Sequence, residues 1–395
     1  MQIQTSPPLH LTYCLNVHPG ETWAENLAAI RAHVPAVRRL VGRAGSFGLG
    51  LRLSRAAAAE LREPAKLAEF RAFLALHDLY VFTINGFPYG RFHGTAVKED
   101  VYRPDWRDPE RRDYTLTLAD ILAALLPDGV SGSISTVPGS YKAWIRTAAD
   151  VEQMVDNLIA VVRRLAEIRE QTGREIVLGL EPEPDCFIET TAETIRFLEG
   201  PLAGEGSALL SASAGVSRAR AREWLAAHVG VCFDTCHMAL QFEDLAAGLS
   251  ALRAAGVRIA KVQLSAALRV PDAGALDATA AMFRDPGYLH QVKTQGAGGR
   301  IESFADLPLA AGRGGTGESR IHFHVPLYFE GSGGGLSTGA ALDGAFFRAL
   351  RAGASGHLEI ETYTFHVLPD AVTSLDVDAS IAREYEWALG RIEVE

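Results

Sequence analysis

The 395-residue chain is poor in cysteine: only Cys14, Cys186, Cys232 and Cys236 occur, and no two stand in Cys-x-x-Cys spacing. That spacing argues against a zinc ribbon or a disulfide framework and fits a reducing compartment. No apolar run approaches the 18 or so residues of a membrane span. Residues Met1 to Leu9 have neither a basic n-region nor an apolar h-region, so no secretory leader is expected there and a cytoplasmic location is. Basic runs are missing too. With 38 Lys and Arg against 48 Asp and Glu, the formal charge is −10, which repels polyanions, and no local patch offsets it. A nucleic-acid partner is not expected.

What is present is apolar residue in quantity, 48 % of the chain, enough for a substantial core. The length exceeds an ordinary domain, but (β/α)8 barrels run from about 200 to more than 400 residues. The stretch Val229 to His237 (Val-Gly-Val-Cys-Phe-Asp-Thr-Cys-His) ends an apolar run in an acid and, three residues on, an imidazole. Strands of parallel sheets are buried on both faces, and polar residues at their carboxyl ends face the ligand pocket. Asp234 and His237 therefore read either as part of a divalent-metal site or as a helix cap beside a buried histidine. Two further runs, Ile176 to Glu181 and His357 to Glu361, also end in carboxylates. A carboxylate at that depth needs a metal, a proton or a counter-charge.

In chain order, strands are expected at Leu9–Asn16, Phe47–Leu53, Leu79–Asn85, Ser131–Thr136, Ile176–Glu181, Val229–His237, Val257–Leu264 and His357–Thr362. Helices are expected between them, including Arg55–His77 with a break or start at Pro64, Leu116–Leu126, Asp150–Gln171, Ser217–His228, Phe242–Ala255 and Ser380–Leu389. Helix 150–171 carries Val151, Met154, Leu158, Val161, Val162 and Leu165 on one face. Eight strands alternating with helices predict a single-domain α/β (β/α)8 TIM barrel spanning 1–395. Three stretches break the rhythm. Residues 91–114, after strand 3, read as a lid or substrate wall. Residues 204–215 read as a mobile Gly/Ser/Ala linker. Residues 266–317, after strand 7, read as a long insertion, followed by a rim strand over Ile321–Phe329 with His322 and His324 on one side. Trp23, Tyr89, Trp106 and Tyr141 are either core packing or a stacking surface for a ring.

Asp234-Thr235-Cys236-His237, the strand-ending Glu181 and Glu361-Thr362 resemble the xylose-isomerase-like TIM barrels, a superfamily of sugar isomerases, epimerases and endonuclease IV. Asn16 to Glu21, Asn85 to Gly90 and His322 to Pro326 resemble the EboE-type proteins of metabolite-traffic operons. The resemblance implies a divalent metal held by Glu181, Asp234, Gln263 and Glu361. Gln263 departs from the usual seventh-strand histidine, and its neutral hard oxygen favours Mg²⁺ or Mn²⁺, with Zn²⁺ or Co²⁺ as alternatives. Glu183, in Glu-Pro-Glu-Pro, is an alternative to Glu181. His237 is implied either as a further ligand or as a hydrogen-bond donor to substrate. His18, Asn85 and His324 are implied as substrate contacts. The implied reaction is isomerisation or epimerisation of a sugar- or cyclitol-like polyol, the ion polarising an oxygen while Glu181 and Glu361 move a proton at the adjacent carbon and His237 assists. The alternatives are a metabolite-binding barrel without turnover and an endonuclease-like phosphodiesterase. Assembly into a homo-oligomer stays open.

Overall fold

In the computed structural model, which describes every residue except 92, 95, 96, 284, 286, 314, 315, 333, 370–374, 394 and 395, eight parallel strands form the barrel. They are β1 (Pro8–Tyr13), β2 (Phe47–Arg52), β3 (Leu79–Asn85), β4 (Gly132–Thr136), β5 (Ile176–Leu180), β6 (Val229–Asp234), β7 (Arg258–Leu264) and β8 (His357–Ile360). Neighbours pair in that order from β2 to β8, and β8 pairs with β1. A parallel bridge between Cys14 and Gly50 and the Thr12 Oγ1 bond to the Gly48 carbonyl (2.9 Å) close the ring. A short strand at Gln2–Thr5 folds back antiparallel on β1. Among the described residues no helix is long and apolar enough to cross a membrane.

The helices form where their caps and apolar stripes allow. Thr22 and Glu25 make a capping box before Trp23–Val41, and Ser54 caps Arg55–Leu61. Pro64 starts the next helix at its first position, where its missing N–H costs nothing. Helix Ala148–Thr172 buries Met154, Leu158, Val161, Val162 and Leu165, each such side chain contributing about 1.5–3 kcal/mol of burial.

Three expectations need correction. Helix Pro109–Leu125 starts well before Leu116, because Asp108 caps it and Arg111, which hides the apolar periodicity, is itself buried against the carbonyls of Pro104, Gly86 and Phe87. Residues 204–215 are not a linker. A π-helical segment, Leu198–Gly206, runs into helix Ser207–Ala214, and Leu202 and Leu210 are buried. The small residues that suggest mobility instead allow close approach: a Cβ on Gly206 would sit 3.1 Å from Val155 and 3.2 Å from Ile159. The insertion after β7 is largely ordered as a second, antiparallel sheet. Glu318–Val325 lies at its centre between Val292–Gln295 and Ala266–Val270, so the histidine-bearing strand starts at Glu318 and belongs to this sheet.

The barrel lumen is polar at its waist. Lys261 on β7 and Glu359 on β8, both essentially fully buried, form an ion pair. Burial pulls the Lys261 ammonium down, but Glu359 and the other groups around it outweigh this and the net shift is upward. Opposite, Gly50 is required: a Cβ there would lie 2.0 Å from Glu359 Oε1 and 2.7 Å from the Tyr13 carbonyl. Lys261→Met strands a buried carboxylate and is expected to cost about 3–5 kcal/mol in urea unfolding. The double variant Lys261→Met/Glu359→Leu should recover most of that loss. Equal destabilisation of single and double variants would show that the pair does not act as a unit.

Candidate metal centre and pocket

Four barrel strands deliver acids or an amide to one mouth. Glu181 follows β5, Asp234 ends β6, Gln263 lies on β7 and Glu361 follows β8. Glu181, Asp234 and Glu361 are buried, and each offers an oxygen within 4.8 Å of the others'. Asp234 fulfils both readings of its position. Its Oδ1 caps helix Thr235–Leu240, accepting from the amides of Cys236 (2.7 Å) and His237 (3.0 Å) and from Ser265 Oγ (2.7 Å), while its Oδ2 has no hydrogen-bond partner. Glu361 Oε1 accepts from Asn16 Nδ2 (2.7 Å) and Asn85 Nδ2 (3.0 Å). Asn85 therefore positions a carboxylate, with its own Oδ1 held by the Phe87 amide.

Burial, then the neighbouring Asp234, pushes the Glu181 carboxyl up to about 8, and burial with Glu181 and Asp234 beside it pushes Glu361 well above the usual range. Asp234 is the exception: burial opposes its ionisation, but His237, His324, Ser265 and the His237 amide outweigh it and its pKa falls. Gln263 stands level with Asp234 in the β6–β7 register. Its Oε1 accepts from the Cys232 thiol (2.9 Å) and its Nε2 has no partner, so in this arrangement its oxygen is turned to the neighbouring strand.

The inserted sheet adds imidazoles. His324 donates from Nδ1 to the Glu361 carbonyl (3.0 Å), leaving Nε2 as a buried lone pair without a partner. A ring nitrogen of His324, a carboxylate oxygen of Asp234 and a ring nitrogen of His237 form a second set within 4.8 Å of one another. His237 donates from Nδ1 to the Pro182 carbonyl (3.0 Å), and His322 from Nδ1 to Gln291 Oε1 (2.7 Å). The Gln291 amide is oriented by its Nε2 bonds to the Pro184 carbonyl and to the Tyr102 hydroxyl, which itself donates to Glu183 Oε1 (2.9 Å). The Nε2 atoms of His237 and His322 thus face each other at 3.1 Å with Glu183 alongside. Burial lowers the pKa of all three histidines, His324 to about 4, so they are neutral near pH 7 and two lone pairs meet unless a proton or cation lies between them. The expectation that His237 donates to substrate meets the same obstacle, because its proton is committed to Pro182.

Four acceptors without partners among the described residues, Glu181 Oε2, Glu183 Oε2, Asp234 Oδ2 and His324 Nε2, fit a divalent cation: hard carboxylates with a neutral imidazole beside them suit Mn²⁺ well. Burying them unpaired is costly. His18 is not brought to this site. Its ring stacks on His33 (4.0 Å between centroids) and meets the Tyr13 hydroxyl (3.1 Å). His33 Nδ1 in turn meets Asp378 Oδ1 (2.7 Å), so His18, His33 and Asp378 make a separate cluster away from the pocket. The aromatics singled out in the sequence pack elsewhere: Trp23 against Phe70, Trp106 against the Val137 carbonyl, Tyr89 against Tyr114 and Tyr141 against Tyr102.

Glu181, Glu183, Glu361, His237 and His322 line one side of a pocket with a cavity volume of about 50 Å³. Its walls are Phe87, Tyr102, Tyr288 and Tyr363, with Val97, Val101 and Leu289. The excursion after β3 and the insertion after β7 meet across the mouth, where the Val97 amide donates to the Gly287 carbonyl (2.9 Å) and Lys98 Nζ reaches Asp306 Oδ2 (2.6 Å). Sequence reasoning missed Tyr102, Tyr288, Tyr363 and Gln291 as site residues. The only signal was their position in the two long stretches or beside Glu361.

No family model matches the chain, and no curated protein matches it in sequence. Among solved structures it is similar to an L-ribulose 3-epimerase (12 % identity, 98 % of this chain and 95 % of that one, TM-score 0.48). It is also similar to a xylose isomerase domain protein from Planctomyces limnophilus (15 %, 96 % and 96 %, 0.48) and to an IolI protein with a bound zinc atom (12 %, 97 % and 98 %, 0.46). Identities and superpositions this low carry nothing about what this chain acts on; the barrel assignment stands on its own strand order.

Manganese titration of metal-free protein should saturate. Because the ion must displace the protons that burial and mutual repulsion keep on Glu181, up to about pH 8, and on Glu361, affinity should rise by more than about tenfold per unit from pH 6 to 8. Asp234→Asn should abolish the binding. A pH-independent affinity would show that Glu181 is not displaced.

Proposed function

We propose that the chain is a divalent-metal-dependent isomerase or epimerase acting on a small oxygen-bearing metabolite. The observation that carries this reading is the convergence of three buried carboxylates, Glu181, Asp234 and Glu361, at one barrel mouth. The ion would be held by these three, with Gln263 and His324 adjacent, and when bound it would polarise a substrate oxygen.

The division of labour follows from exposure to the pocket. Asp234 does not line it and serves to hold the ion, whereas Glu181 and Glu361 do line it. Facing the pocket, these two carboxylates are placed to take and return a proton of the substrate. Asn16 and Asn85 fix the orientation of Glu361. His237 and Glu183 flank this centre as acceptors, which is the role their geometry supports for the Asp-x-x-His histidine.

A phosphodiesterase reading gains from His322 and His324, which supply imidazoles that the barrel strands lack. It loses on charge, because the floor is acidic and the chain carries −10 overall. Manganese-loaded protein should exchange a carbon-bound proton of its substrate with deuterated water. Glu181→Gln and Glu361→Gln should slow this by about 10²–10⁴-fold. A carrier would instead retain ligand binding in Glu181→Gln and show no exchange in either form.

A further inference from the structure

Resting on the metal-centre reading, we propose that the pocket takes a neutral cyclic molecule with two adjacent oxygens on one edge and a bare ring face, and that it rejects phosphate esters. Charge is the first reason. Glu181, Asp234 and Glu361 carry −3 when ionised, and one divalent ion leaves −1, before Glu183 is counted. Among the described residues the cation lining the pocket is Lys98, and it is committed to Asp306 Oδ2 and the Tyr288 carbonyl (2.8 Å). Lys261, below the floor, is locked to Glu359. No arginine lines the pocket among the described residues, so a phosphate dianion would meet net negative charge with no fork of donors to receive it.

The walls give the second reason. The Tyr102 hydroxyl is used by Glu183 and Gln291, and the Tyr288 hydroxyl meets His93 Nδ1 (3.1 Å). These rings therefore present carbon to the pocket, as do Phe87, stacked on Tyr102 at 5.8 Å, and Val101 and Leu289. An open-chain polyol would leave hydroxyls against this surface without partners, a penalty that a ring with one bare face avoids. Asn16 gives the third. Asn16 lines the pocket with its Nδ2 held by Glu361, while its Oδ1 is buried and has no partner among the described residues. That oxygen can only accept, so it calls for a hydroxyl proton from the oxygen-bearing edge of the ligand.

The test uses full-length protein loaded with manganese and follows paramagnetic relaxation of probe protons. The probes are cis-1,2-cyclohexanediol, a neutral ring with one oxygenated edge, and D-ribulose 5-phosphate, an open-chain phosphate ester. The diol should bind at least about tenfold more tightly than the ester. Val101→Arg, with its fold checked by its own manganese titration, should raise ester affinity by about tenfold. Wild-type protein binding the ester as tightly as the diol, or holding manganese while binding neither probe, overturns the inference. Failure to hold manganese at all appears in the titration before any probe is added and overturns the metal centre instead.

Discussion

Three carboxylates that repel one another are held in a water-poor space, and that repulsion is the constraint the rest of the molecule accommodates. Like charges at such separations interact by about 4 kcal/mol even at an effective dielectric of 20. Without a cation the protein must keep protons on two of them, as the upward shifts of Glu181 and Glu361 indicate. The lumen underneath compensates in part. Lys261 lowers both carboxyls through its field, although it is paired to Glu359. Gly50 keeps clear the space that Glu359 needs. A barrel waist of this polarity is weak evidence for stability and better evidence that the mouth above it is meant to hold charge.

The inserted sheet completes the centre from outside the barrel. It is fastened by Lys293, buried against Asp185 (2.8 Å) and Glu189 (3.1 Å), and by Arg320, which lies 4.0 Å over the Phe242 ring and bonds the Ala239 carbonyl. Those ties fix the strand carrying His322 and His324 over the strand ends. The imidazoles then reach the site with their protons already committed to backbone or amide oxygens, so their free nitrogens point inward. Pre-committed tautomers of this kind are how second partners orient ligands at metal sites.

The barrel was legible because parallel strands buried on both faces are continuous apolar runs, and the β3 bounds read from sequence are those observed. The carboxylates were legible because an acid ending such a run has few other uses. What was not legible depends on contacts between distant segments. The helical course of residues 198–214 comes from docking on helix Ala148–Thr172, which small residues permit but do not announce. His18 turned to its own neighbours, and Gln263 to Cys232, for packing reasons that a position on a strand end does not encode. The pocket aromatics come from the two long stretches, whose pairing across the mouth no local pattern reveals.

The most direct measurement is anomalous diffraction at the manganese edge from crystals of protein grown with that ion. A single strong peak equidistant from the oxygens of Glu181, Asp234 and Glu361 is what the account predicts. No peak there, or one lying only between Glu183, His237 and His322, would contradict it.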